Sequence, residues 1–122
     1  MNIPNSLRYS KTHEWVKTLE NGNVLVGIDD YAQNQLSDIV FVNICEVGDE
    51  IIAGVNIGDV ESVKAVSDVT APVSGTVVKV NNAVLDDPSL INQSPYDAWL
   101  IEIADAEGFD ALYSAEEYAQ TL

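Results

Sequence analysis

Lys64 stands in the run Gly58-Asp59-Val60-Glu61-Ser62-Val63-Lys64-Ala65-Val66-Ser67-Asp68, where two β-type stretches meet at a turn with an amine at its tip. The chain has only five basic residues, Arg8, Lys11, Lys17, Lys64 and Lys79. A lysine held clear of a sheet on a rigid turn can be acylated, because its amine reaches solvent while the backbone around it offers a modifying enzyme a fixed shape. Val63 and Val66 would pin the two strands by cross-strand packing, and with no Gly or Asn at the tip a type I turn is expected over the primed types. On this pattern alone two readings stand, an attachment point for a mobile group and an ordinary solubilising lysine.

No other constellation offers chemistry of its own. No nucleophile has an adjacent base, there is no CxxC or HExxH spacing, and no glycine-rich phosphate loop is present. Cys45 is the only cysteine, so no internal disulfide forms, which agrees with a reducing compartment. It follows the strand-like run Ile39 to Ile44 and is expected to be a buried structural thiol.

The elements that must position Lys64 are short β-type runs separated by turn residues: Val24 to Ile28, Ile39 to Ile44, Glu50 to Ala53, Gly58 to Val63, Val66 to Ala71, Gly75 to Val80, and Trp99 to Ile103. An all-β sandwich or flattened barrel follows. Asp30 and Gln33 have capping-box spacing and predict a short helix over Tyr31 to Ser37. Ser114 and Glu117 repeat the signal and predict a terminal helix over Ala115 to Leu122, with Tyr118 and Leu122 packing back on the sheet. Asn81 to Pro95 lacks clear periodicity and is expected to be a long ordered loop.

With 122 residues, 47% of them hydrophobic, the chain is expected to form one domain, residues 1–122, around a single core. No apolar stretch approaches bilayer length, and Met1-Asn2-Ile3-Pro4 does not open a signal peptide, so a cytosolic, bacterial protein is expected. The net charge of −15 and pI near 4.1 argue against nucleic acid as a partner, which needs Lys and Arg to replace counterions. The same charge would speed encounter with basic docking surfaces, an effect weakened by salt.

The stretch Gly58 to Gly75 resembles the lipoyl and biotinyl attachment domains, in which a glutamate precedes the lysine and an Ala-Pro pair and a glycine follow it. Here these are Glu61, Ala71-Pro72 and Gly75. The biotinyl version normally has methionine on both sides of the lysine, and this chain has Val63 and Ala65, so lipoate is the better fit. Tyr9 to Val16, Val26 to Gln33, Glu61 to Ala65, Ala71 to Gly75, Leu90 to Tyr96 and Trp99-Leu100 are together similar to the H-protein family of the glycine cleavage system.

That resemblance implies a mostly β barrel-sandwich hybrid with short helices, a lipoyl-type core over about 24–104 and a C-terminal helix over about 114–122. It also implies a carrier without an active site, with lipoate attached to Lys64. The aminomethyl group of glycine would pass from a pyridoxal-phosphate-dependent glycine decarboxylase to a tetrahydrofolate-dependent aminomethyltransferase. A dihydrolipoyl dehydrogenase would then reoxidise the arm. Glu61, Ser62, Val63, Ala65 and Gly75 would mark the lysine for a lipoate-attaching enzyme. Thr12, Glu14 and Asp68 match the cleft that receives the loaded arm, and Asp68 also stands among the lipoylation features. His13 is expected to be structural, since a carrier needs no general base, and a monomer suits a shuttle. An H-like protein relaying lipoate to other complexes would share all these features. Three departures from the family pattern are Asp97-Ala98 before Trp99, Asn43-Ile44-Cys45, and Ser37 at a place often held by glycine.

Overall fold

In β3, Val24–Ile28, Val24, Val26 and Ile28 all point into the interior, and Val24 and Val26 pair with Ile103 and Ile101 of β9, Ile101–Glu107. This ladder is the middle of a six-stranded antiparallel sheet in the order β1-β2-β3-β9-β8-β5. Its other members are β1, Arg8–Tyr9, β2, Glu14–Thr18, β5, Glu50–Ile51, and β8, Ser74–Val80. A second sheet orders β4, Ile39–Ile44, β6, Asn56–Ser62, and β7, Val66–Thr70, as β4-β6-β7. Val42, Val60 and Val69 of the small sheet join Val26, Val77, Ile101 and Ile103 of the large one in a single apolar core. The computed structural model describes residues 1–122, and the architecture is the expected mostly β barrel-sandwich hybrid with short helices.

Several elements differ from the sequence reading. No strand was expected before Val24, yet β1 and β2 form the edge of the large sheet. Glu14, Trp15 and Val16 of β2 are all buried, so the alternation that reveals a half-buried strand is missing. Asn81 to Pro95 contains two helices of five residues, α2, Asn82–Asp86, and α3, Ser89–Gln93. Each is too short for a 3.6-residue period to repeat. The strand expected over Trp99 to Ile103 begins at Ile101 and continues to Glu107.

The first helix, α1, spans Asp30–Leu36, and its N-cap is Asp29, whose side chain accepts the Ala32 N–H at 2.8 Å. Asp30 instead bonds the Gln33 amide at 2.7 Å, a side-chain pair within the first turn. The terminal helix, α4, has the expected Ser114/Glu117 capping box but spans only Ala115–Ala119. Tyr118 packs back as expected, whereas Leu122 lies beyond the helix and is exposed. Tyr118 belongs to a second, smaller core with Leu7, Tyr9, Trp15 and Ala115, which fastens the C-terminus to β1 and β2. No helix is long and apolar enough to cross a membrane.

Candidate functional site

Glu61 pairs with Val66, so the hairpin between β6 and β7 closes over Ser62, Val63, Lys64 and Ala65. Ser62 is buried, and its hydroxyl is the knot of the turn. It accepts the N–H groups of Lys64 at 3.2 Å and Ala65 at 3.0 Å, and donates to the Ala65 carbonyl at 3.1 Å. The Ser62 N–H adds a backbone bond to the same carbonyl at 2.8 Å, and the Val63 N–H ties the hairpin to Asp38 at 3.1 Å. None of the four residues has a positive φ, which excludes the primed turn types. Lys64 and its neighbours Val63, Ala65 and Val66 are exposed, and the valines do not pin the strands as expected, because Val63 lies within the turn and Val66 pairs with Glu61; the Lys64 amine has no carboxylate within ion-pairing distance. The tip is thus a firmly held backbone carrying a free amine.

Pairing across the small sheet sorts the flanking residues onto two faces, because directly paired residues point the same way. Phe41, Glu61 and Val66 form one outward row, and Asn43, Asp59 and Asp68 the next. Val42, Val60 and Ser67 form the row facing the other way, in which Val42 and Val60 are buried while Ser67, on the edge strand, is exposed. Gly75 lies elsewhere, in β8 of the large sheet opposite Ile51. A Cβ there would stand 2.7 Å from the Ala104 carbonyl and 2.4 Å from Ile103 Cγ2, so this glycine permits close strand approach. It does not meet the lysine hairpin.

Along the edge strand β7, residues of both faces border a narrow cleft that brings Thr12, Glu14 and Asp68 together with Ser67. Ile28, Ala32, Leu36, Val60 and Val69 supply apolar walls. The enclosed volume is about 10 Å³, room for one small polar group. Glu14, only 1% exposed, sits at its base. Its Oε1 accepts the hydroxyls of Ser10 at 2.7 Å and Thr12 at 2.5 Å, and Oε2 accepts the Thr70 N–H at 3.3 Å. Burial pushes the carboxyl up to about 7, against the pull of those three donors, and nearby Asp29 adds to the rise. A carboxyl with hydroxyl partners, apolar walls and no cation beside it has the chemistry to receive an amine on an apolar stem.

Ser10 and Ser67 escaped the sequence reading. Ser10 is visible only once the turn between β1 and β2 folds it onto Glu14, and Ser67 only once the edge strand β7 is set beside the cleft. A third group was also hidden, consisting of His13, Asp29 and Tyr118. The Tyr118 hydroxyl donates to Asp29 Oδ2 and lies in hydrogen-bonding contact with His13 Nδ1. Asp29 is wholly buried, and burial raises its carboxyl while the Tyr118 hydroxyl opposes the rise. Cys45 is half-buried just beyond β4 and not fully enclosed as expected, and burial pushes its thiol up, away from reactivity.

The family model described as glycine cleavage H-protein matches residues 7–122. The glycine cleavage system H protein of Bacillus cereus (strain AH820) is 54% identical over 123 residues, covering 98% of this chain and 96% of its own. That of Geobacillus kaustophilus (strain HTA426) is 54% identical, covering 97% and 94%. The crystal structure of a glycine cleavage system H protein from Mycobacterium marinum superposes with a TM-score of 0.90 at 43% identity, covering 98% of both chains.

Proposed function

The chain belongs to the glycine cleavage H-protein family, and from that membership we propose that Lys64 carries lipoate in amide linkage and that the protein acts as a carrier with no catalysis of its own. Its partners are then glycine decarboxylase, aminomethyltransferase, dihydrolipoyl dehydrogenase and a lipoate-attaching enzyme, met as a cytoplasmic monomer. The observation that carries this reading is the pairing of a rigid, unpartnered lysine hairpin with a carboxyl-based cleft. About three residues of strand separate Lys64 from Ser67, roughly 10 Å at about 3.3 Å per residue.

When attached, the lipoyl group supplies a disulfide whose opening accepts the aminomethyl unit of glycine. The hairpin's part is to hold the Lys64 amine outward on a backbone fixed by Ser62, so that attachment and delivery both start from one geometry. Glu61, Val63 and Ala65 surround that amine and are the surface an attaching enzyme must read, with Asp68 one row away. Acylation also removes a positive charge, leaving the tip neutral.

The cleft's part is to hold a terminal amine and keep water from it. Thr12 bonds the Glu14 carboxyl, Ser67 and Asp68 line the same cleft as further polar groups, and Leu36 and Val69 would flank an apolar stem. Near neutral pH the empty cleft keeps Glu14 between its protonated and ionised forms. An ammonium about 4 Å away gains roughly 4 kcal/mol at an effective dielectric near 20, enough to hold the ionised form. The amine and carboxylate then stabilise each other's charge, and withdrawal of the amine returns Glu14 to a mixture of its two forms.

Reconstitution tests this reading. The lipoylated chain, mixed with glycine decarboxylase, should support release of carbon dioxide from glycine, and Lys64→Arg should support none. Equal activity of the Lys64→Arg chain would defeat the proposal.

A further inference from the structure

We propose that Tyr118, reaching in from the C-terminal helix, is a positioning residue for the cleft, holding both the turn that presents Thr12 and Glu14 and the start of the helix that forms the opposite wall. This rests on the reading of that cleft as the resting place of a lysine-borne amine.

The turn from Ser10 to Glu14 is held by three short-range bonds: His13 N–H to the Ser10 carbonyl at 3.1 Å, Ser10 N–H to the Glu14 carbonyl at 2.9 Å, and Glu14 N–H to the Ser10 hydroxyl at 3.0 Å. At its centre His13 has φ of 73°, a left-handed conformation that an L residue adopts at a cost and keeps only when its surroundings insist. What insists is the ring. Nδ1 meets the Tyr118 hydroxyl, and the imidazole packs on Tyr31 of α1 at 4.4 Å between centroids. Thr12 and Glu14, the two residues flanking His13, both enter the cleft.

The same hydroxyl has a second hold. It donates to Asp29, whose other oxygen caps α1 through the Ala32 N–H and whose own N–H bonds the His13 carbonyl at 3.0 Å. Ala32 and Leu36 of α1 form the wall across from Glu14. The phenolic oxygen therefore adds a side-chain link between the floor of the cleft and its wall to the direct bond between Asp29 N–H and the His13 carbonyl. Tyr118 is itself fixed by stacking on Tyr9, with ring centroids 4.8 Å apart and planes 6° from parallel.

Tyr118→Phe removes the oxygen and keeps the stack. In the unmodified chain, hydrogen exchange at the amides of His13, Glu14, Asp29 and Ala32 should accelerate by about ten-fold or more. The amides of Ser62 in the hairpin and Leu100 beside β3 should keep their rates. The Glu14 carboxyl, followed by carbon-13 NMR, should titrate below its value of about 7 as water enters, with Asp29 and Asp68 the other nearby acids. His13→Asn, which tolerates a left-handed backbone, should speed the same amides from the other end. Adding Tyr118→Phe to it should speed Glu14 by clearly less than the product of the two single effects, because both substitutions break the His13–Tyr118 contact.

Exchange unchanged in Tyr118→Phe would overturn the proposal. So would a uniform acceleration that includes Leu100, which marks a purely structural tyrosine, or effects of the two substitutions that multiply at Glu14. None of these readouts depends on Lys64 being acylated. An unmodified Lys64 in cells would defeat the carrier reading while leaving this coupling to stand or fall alone.

Discussion

The lysine hairpin and the Glu14 cleft are built on opposite plans. The hairpin is local: Ser62, Val63, Lys64 and Ala65 are consecutive, and one hydroxyl makes three of the bonds that shape them. The cleft draws on four separated segments, around Thr12, Ile28 to Leu36, Val60 and Ser67. An exposed group on a local turn can be changed with little effect on the fold, whereas a buried carboxyl assembled from distant segments is coupled to stability. In this protein, then, chemistry and stability should separate at Lys64 and coincide at Glu14.

The sharpest break between them is Lys64→Arg. Attachment should be lost completely, while the unfolding free energy stays within about 0.5 kcal/mol of wild type, as befits an exposed residue away from packing. Intact mass and urea denaturation measure the two sides. A large stability loss would mean that the hairpin is not the independent unit described.

Glu14→Gln is the complementary test. Folding raises this carboxyl from 4.5 to about 7, so the folded protein binds the proton more tightly than the unfolded chain. The associated stability is fully present below about pH 4.5 and is lost as pH rises through 7. Relative to Glu14→Gln, the wild type should lose about 3 kcal/mol between pH 4 and pH 8. Parallel stability curves for the two proteins would show that Glu14 is not desolvated.

Smaller effects sharpen the contrast. Ser62→Ala should cost about 1–2 kcal/mol, since the Lys64 and Ala65 N–H groups lose their partner, and should slow attachment at Lys64 several-fold. Ser37→Gly should instead add about 1 kcal/mol in thermal unfolding. Ser37 follows α1 with φ of 64° and ψ of −145°, a region suited to glycine.

The same division governs what the sequence disclosed. Lys64, its flanking valines and Glu61 are contiguous, so their pattern is visible in the chain, and β3 and β4 have their expected limits. The Ser114/Glu117 box likewise announces its helix because both partners lie within one turn. Thr12, Glu14 and Asp68 were reached only through resemblance, since nothing local brings β2 against β7. Ser10, Ser67 and the Tyr118 link were beyond reach, because each depends on a register or a contact across the fold; Tyr118 and Asp29 are 89 positions apart. β2 was missed for a related reason, its buried Glu14 breaking the apolar pattern of a strand.

Everything in this reading depends on Lys64 carrying the working group. Intact-mass measurement of the protein from its native cells, with peptide mapping around Lys64, tests it most directly. A mass increase matching lipoate in amide linkage is expected, confined to the Lys64 peptide and absent from Lys64→Arg. An unmodified Lys64 in cells that lipoylate their other carriers would contradict it.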